Sequence, residues 1–565
     1  MRLSKRGLAR ALHDLRFRPL RGPAGWLLVG AVVAAGLFRA FRDAPLPDVA
    51  WYLYSAERVL DGARLYVDLF DTNPPLIVWL NLTPALLGRL TGISHFVFFN
   101  LLVAALALGS LAAVRWLCRD GGRPTVTYLL LLVAFVFLPL SRGAFGQREH
   151  LMLMLVTPYF LATALRASGA TLPRLAAAAI GVAGGLGFAL KPHFLVPLLA
   201  GDGYAALVRR RPDRASPDRS RTTRPESAIA YAVIAGYGLV VLLVSPRYLD
   251  MAAAVVQVYG AFDVAMEDLV RSPQLIWAGA SLALFSLLRP APPYRELSWV
   301  LALATAGFTV AAFLQGKGWT YQLYPPLAAA SVLAGVTVWA GAEGAVRVGR
   351  GRAHEEPSGQ HLSAIGAVGS FMAVLGMVGI LVLSGATAAR HPEARGSFPA
   401  LARLVRENAS ADEAVVALSA APVGFPLVSQ TGVRWGSRFL QLWPLPGLYA
   451  DVEPRASPFP YHPPHERPEL ERWLVNVVVE DLLRERPALL IVESARTKSR
   501  LGATAFDYVE YFSQDTRFAE IFQSYDRLSV VGAFTVYRRR CEPEHALAEE
   551  QNGRWRTPEP DAPTP

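Results

Sequence analysis

Lysine is nearly absent. Only Lys5, Lys191, Lys317 and Lys498 occur among 56 basic residues, so the place of each one carries information. Cysteine is scarcer still. Cys118 and Cys541 form no disulfide framework, have no metal-motif spacing, and fall on opposite faces in the topology below. Charge is also thin: 18% of the 565 residues are charged and 53% hydrophobic, with a positive mean hydropathy. A soluble chain carries about a quarter charged residues, so an ordinary soluble domain is excluded. The apolar residues come instead in repeated blocks near the roughly 20 residues that span a bilayer. The chain reads as a polytopic α-helical membrane protein. Its net charge of +11 does not imply a nucleic-acid partner, because the arginines cluster between apolar blocks, as positive-inside loops do.

In chain order, residues 1–22 form a basic N-terminus before the apolar run Trp26–Phe38. No clear small-residue cleavage site leads into a soluble domain, so this run reads as an uncleaved first span with a cytoplasmic N-terminus. Further spans are expected near 96–116, 125–141, 150–167, 174–190, 193–208, 227–245, 273–289, 297–314, 321–341 and 363–386. With the first, that gives about eleven transmembrane helices. The short apolar run 74–90 is excluded from the count. If it crossed, the loops at Arg115–Arg123 and Arg209–Arg224 would lie outside; if it lies along the outer surface, every strongly basic loop falls inside. Residues 48–90 are therefore expected to be a first outer loop with juxtamembrane helices, within a transmembrane domain covering 23–388. From 389 to 540 the pattern alternates between helix and short apolar runs such as Ala414–Leu418, Leu489–Val492 and Val530–Tyr537. An extracytoplasmic α/β domain is expected there, followed by a disordered tail over 541–565.

With this topology the unusual polar groups gather on one face. They are the Asp48–Leu76 stretch, Ser141–His150, Lys191-Pro192-His193, Pro246–Arg271 and Gln315–Tyr321. Trp and Tyr beside carboxylates suit a loop at the membrane boundary. Two of the four lysines stand at span ends there, with Arg142 and Arg148. A single such residue is explained by snorkelling to headgroups. Several beside Trp and Tyr suit phosphate, which Lys and Arg bind by charge and forked hydrogen bonds. A half-buried carboxylate near that phosphate suits a general base. The competing readings are ordinary ones: Asp48 as the cap of a helix starting at Ala50, and Glu149 as a partner of Arg148 or His150. His150, His193 and Glu149 leave a divalent metal ion open, although no ligand spacing is diagnostic. No cofactor is otherwise implied.

Asp48, Tyr52, Ala56, Gly62, Tyr66, Asp68 and Pro74-Pro75-Leu76 resemble the first outer loop of the C-type (GT-C) glycosyltransferases. The similarity is to the bacterial branch of protein O-mannosyltransferase-like and aminoarabinose transferase-like enzymes. Lys317-Gly318-Trp319, Tyr321 and Pro325 resemble the late K-x-W-x-Y-H-x-x-P signature of that branch. The resemblance implies an inverting transfer of a sugar from a polyprenyl-phosphate donor to a lipid, glycan or protein acceptor, on the outer face of a bacterial cytoplasmic membrane. It makes Asp48 the catalytic base. Lys317, Arg148, Lys191, Tyr321, Asn73, Glu149, His150 and Tyr52 become the residues that bind donor phosphate and substrate. There are departures. Thr72-Asn73 stands where many relatives have Glu-Lys, so a phosphate-binding lysine is missing. Gln322 replaces a usual histidine, and Arg148-Glu149 stands where some relatives carry Thr-Asp.

Two other classes compete: a transporter or flippase for a lipid-linked or anionic substrate, and a non-catalytic receptor built on the outer domain. Transporters tend to place ionisable groups at mid-membrane and to show internal repeats. The expected spans hold almost no charge, and the Asp48 pattern is not repeated.

Overall fold

The computed structural model describes residues 23–119, 123–210, 224–351, 392–453, 456–502 and 505–540. The basic segment 1–22, most of the arginine loop after Arg210, the expected span at 363–386 and the tail 541–565 lie outside these residues. The chain divides into two compact units, at residues 1–391 and 392–565.

The first unit is helical: α1 Pro23–Arg42, α2 Pro47–Leu60, α3 Leu76–Thr91, α4 His95–Leu117, α5 Arg123–Phe137, α6 Arg148–Ala167, α7 Arg174–Ala189, α8 Leu195–Arg209, α9 Pro225–Val244, α10 Arg247–Val258, α11 Met266–Val270, α12 Pro273–Leu288, α13 Arg295–Gln315 and α14 Thr320–Gly351. Among the described residues six of these are long and apolar enough to cross a membrane: α1, α4, α6, α9, α13 and the 320–343 part of α14. The shorter α3, α5, α7 and α12 are also apolar. The polytopic plan stands; a count of eleven does not follow from these helices.

Burial separates the helices by solvent. In α14, 94% of the most apolar stretch is buried, against 11% in α9. Leu243 and Val244 of α9 are 72% and 67% exposed. A continuous apolar face of this kind is tolerable where the surrounding medium is lipid. α6 and α14 form the inside of the bundle, and α6 is buried on almost every face.

The Asn100 amide near the start of α4 donates to the Ala40 carbonyl near the end of α1, at 3.0 Å. The hairpin of α2 and α3 thus leaves and returns at one end of the bundle. Arg89 closes it by pairing with Asp61. At the same end the Arg39 guanidinium donates to the Leu138 and Pro139 carbonyls at 3.0 and 3.1 Å, tying α1 to the loop before α6.

The second unit contains α15 Pro392–Asn408, β1 Ala414–Leu418, α16 Gly424–Thr431, β2 Arg434–Trp435, α17 Pro444–Leu448, α18 Glu469–Glu485, β3 Leu489–Glu493, α19 Tyr508–Ser513, α20 Thr516–Phe522, β4 Tyr525–Val531 and β5 Phe534–Arg539. The sheet order is β2-β1-β3-β5-β4. β1 is parallel to β2 and β3, while β5 runs antiparallel to β3 and β4. β1 and β3 are buried at every position, which is why their apolar runs are continuous. The expected strand over Val530–Tyr537 is corrected: the chain turns at Gly532-Ala533, where Gly532 has φ +58°, and β4 and β5 form a hairpin. The apolar pattern continued across a two-residue turn that glycine makes possible.

Candidate functional site

Asp48 does not cap its helix. α2 begins three residues earlier than the pattern suggested, at Pro47, with Leu46 at the cap position and no side-chain cap bond. Proline favours the first helical position, so the helix starts there and Asp48 falls in its first turn. The side chain is free for another partner: Asp48 Oδ2 accepts from Gln147 Nε2 at 3.1 Å. Burial raises the Asp48 carboxyl above the ordinary carboxylate range, while Arg148 and the Gln147 bond pull it back.

The loop after α2 is braced from within. Asp71 accepts the Trp51 indole N–H at 2.9 Å, the Asn73 amide N–H at 2.8 Å and Asn73 Nδ2 at 2.6 Å. Asn73 Nδ2 also reaches the Tyr52 hydroxyl at 3.3 Å. Tyr66 holds a left-handed backbone, φ +65°, that a bulky residue rarely adopts. Its hydroxyl donates to the Asn73 carbonyl at 2.6 Å, and its ring lies 5.3 Å from Tyr248. Asn73 is therefore a brace of this loop. Asp71, which sequence reasoning did not select, is the group it braces.

The second wall is the start of α6. Gly146, at φ +75°, is packed against Phe99 where no side chain fits, and its N–H donates to His150 Nδ1 at 3.0 Å. The other His150 nitrogen meets the Phe137 carbonyl at 2.6 Å. Both ring nitrogens are thus engaged by backbone, and His150 holds the turn. That turn delivers Gln147, Arg148 and Glu149 to the interior, all at most 2% exposed.

The Arg148 guanidinium sits between the Tyr52 and Tyr321 rings, 5.5 and 5.9 Å from their centroids. Its Nε and Nη1 have no hydrogen-bond partner. Lys191 reaches in from the turn after α7. Its Nζ donates to Glu149 Oε1 at 2.5 Å and to Gln315 Oε1 at 2.9 Å, and lies 5.5 Å from the Tyr321 ring centre. Burial and the nearby Arg148 charge bring the Lys191 amine down to about 8, although Glu149 opposes them. The same burial lowers His193 to about 4, leaving it neutral near pH 7. Glu149 therefore pairs with Lys191, not with Arg148 or His150.

Lys317 meets this cluster through Tyr259, whose ring interacts electrostatically with Asp48, Arg148 and Tyr321. Lys317 pairs with Asp263 and lies 5.4 Å from the Tyr259 ring. The Gly316 carbonyl accepts the Val264 N–H at 2.9 Å, so the segment before α11 is clipped to the turn between α13 and α14. The structure thus brings together Asp48, Tyr52, Arg148, Glu149, Lys191 and Tyr321. It gives bracing positions to Asn73 and His150 and places Lys317 at the Asp263 clip. Among the described residues, no group of three or more His, Cys, Asp or Glu is arranged to hold a metal ion.

No protein-family profile matches the sequence, and no curated protein does. Among solved structures, the chain is similar to ArnT from Cupriavidus metallidurans bound to undecaprenyl phosphate. That likeness has a TM-score of 0.53 and 14% identity, and covers 91% of this chain and 98% of that one. A second similarity is to the archaeal oligosaccharyltransferase AglB from Archaeoglobus fulgidus, in complex with an inhibitory peptide and a dolichol-phosphate. Its TM-score is 0.43 at 13% identity, covering 91% of this chain and 74% of that one.

Proposed function

The chain has the GT-C fold that its motifs resemble, and from that premise we propose that it is a membrane glycosyltransferase. It moves a sugar from a polyprenyl-phosphate donor to an acceptor hydroxyl on a cell-envelope glycan, lipid or protein. The acceptor oxygen attacks the anomeric carbon while Asp48 takes its proton. The bond from that carbon to the phosphate oxygen breaks, and its electron pair leaves with the carrier phosphate. A single displacement of this kind inverts the anomeric centre. Arg148 and Lys191 stabilise the charge that develops on the leaving phosphate. Tyr52 and Tyr321 hold the guanidinium in place, and Asn73 and His150 keep the two walls fixed. Lys317 acts at the edge, where its loop is clipped.

The observation that carries this reading is Arg148: a buried guanidinium with two hydrogen-bonding nitrogens unused. A buried cation without hydrogen bonds is costly and calls for an anion. A phosphate supplies both the charge and the acceptors. It also supplies what the lysine missing beside Pro74 would otherwise bind. The N-terminus of α6 points its partial positive charge the same way.

The same reading orients the protein. Arg166, Arg209, Arg224 and Arg295 lie at or next to ends of α6, α8, α9 and α13, and from the positive-inside rule we propose that these ends are cytoplasmic and that the site faces the outer side of the membrane. A transporter would need ionisable groups along a path through the bundle; the ion clusters described here are at its two ends. Transfer from a panel of polyprenyl-phosphate sugars, followed with Asp48→Asn, is the direct test. Loss of transfer in a folded variant is expected, and wild-type rates would remove Asp48 as the base.

A further inference from the structure

Once a phosphate is assigned to Arg148, the neighbouring groups still leave a surplus of one kind. Glu149 is wholly buried; its Oε1 takes the Lys191 ammonium, and its Oε2 has no partner. Gln147 gives its N–H to Asp48, and its Oε1 has no partner. Both open positions are oxygens and therefore acceptors. They stand on neighbouring residues of the same helix start, and Lys191 ties Glu149 to Gln315.

A phosphodiester cannot satisfy them, since it offers only acceptors itself. The carrier chain offers nothing polar. Buried acceptors left unmatched cost binding, so the part of the ligand that meets this wall must be rich in N–H or O–H groups. In the donor assigned above, that part is the sugar.

Resting on the transferase reading, we propose that Glu149, with Gln147, is the sugar-discriminating wall of the site. It selects a donor sugar with unblocked hydroxyl or amino groups on the edge next to the phosphate-bearing carbon. Glu149 is the specificity-determining residue, and Lys191 holds it in place while contributing its charge to the phosphate. A site that hydrogen-bonds a hydroxyl rejects the analogue lacking it far more strongly than an apolar pocket rejects a methylene.

The test uses the full chain in nanodiscs. Affinity is measured for bare polyprenyl phosphate and for the same carrier bearing each of a panel of hexoses and pentoses. Single-deoxy, O-methyl and amino analogues of the best-bound sugar follow. The best sugar is expected to bind about tenfold to a hundredfold more tightly than bare carrier, as hydrogen bonds to a charged group allow. Removing or methylating one hydroxyl should abolish most of that gain. Glu149→Gln should bring the ratio of loaded to bare affinity close to one. An amino analogue that binds more tightly than its parent identifies an ammonium as the group read; a weaker one identifies a hydroxyl. The wild-type analogue series needs no variant to fold. Equal binding of bare and sugar-bearing carriers, or indifference to every deoxy change, would overturn the sugar wall while leaving the phosphate site intact. Failure of bare and loaded carriers alike to bind would overturn both.

Discussion

α6 ends in a buried ion cluster at each terminus, and the two clusters are finished differently. At its C-terminal end Arg166 makes a two-point bond to Glu226, both at 3.1 Å. Arg224 donates to Glu226 at 3.3 Å, to Asp202 at 2.8 Å and to Thr163 at 2.8 Å. Asp202 is closed further by the Tyr159 and Ser227 hydroxyls. None of these groups has a buried polar atom without a partner. At the N-terminal end, Gln147, Arg148 and Glu149 all do. Arginines and carboxylates largely shielded from solvent thus make a completed clasp at one end and an incomplete one at the other. Completion is what a structural network needs. The incomplete end is held open by its backbone turns, by Tyr66 in a strained conformation, and by aromatic walls. Its missing partners are those a ligand would bring.

Variants can break this contrast. The largest effect is expected at the base. Asp48→Asn should lower the transfer rate by about a hundredfold to ten-thousandfold, the usual share of general base catalysis, while carrier binding persists. A rate within a few-fold of wild type would end that assignment. Next, Glu226→Ala should destabilise the protein by about 3–5 kcal/mol, because it leaves the largely buried Arg166 without its carboxylate and takes one of Arg224's two. Arg148→Leu should lower the unfolding midpoint much less, because it breaks no hydrogen bond and removes only the charge that offsets the buried Asp48 and Asp71 carboxyls. Thermal unfolding of the two variants side by side checks this, and equal destabilisation would erase the distinction between the ends.

The pH profile sharpens it further. Lys191 binds phosphate in its protonated form, so kcat/KM should fall as pH rises through about 8, where the buried amine loses its proton. On the acid side the rate should rise with pH as Asp48, raised by burial, becomes the carboxylate. Lys191→Arg should remove the alkaline limb, since a guanidinium keeps its proton throughout this range. A limb near 8 that survives this change belongs to another group. The smallest effect is expected at Lys317. Its Asp263 partner is 53% exposed, and pairs of that kind contribute little. Lys317→Ala should change KM by about threefold or less.

Much of the fold was legible in the sequence. Blocks of apolar residues gave helices close to their expected limits, and the arginine clusters marked one set of helix ends. Asp48 and Arg148 stood out because a carboxylate and a basic residue beside Trp and Tyr are unusual at span ends. The rest was hidden for physical reasons. Pro47 moved the helix start and left Asp48 uncapped, a shift of three positions that periodicity does not resolve. Asp71 looked like one of several loop carboxylates; its burial depends on Trp51 and Asn73 folding over it. Glu149 pairs with Lys191 across 42 residues of chain, a partnership no local spacing records. Lys317 fitted a motif, yet its charge is spent on Asp263. His150 resembled a ligand, but Gly146 and Phe137 occupy both of its nitrogens.

The most direct measurement is the affinity of bare polyprenyl phosphate for wild type, Asp48→Asn and Arg148→Leu, each in nanodiscs. The account predicts that wild type and Asp48→Asn bind alike and that Arg148→Leu binds about a hundredfold more weakly, the loss expected for a charge-assisted phosphate contact. Equal binding by all three, or binding by none, would contradict it.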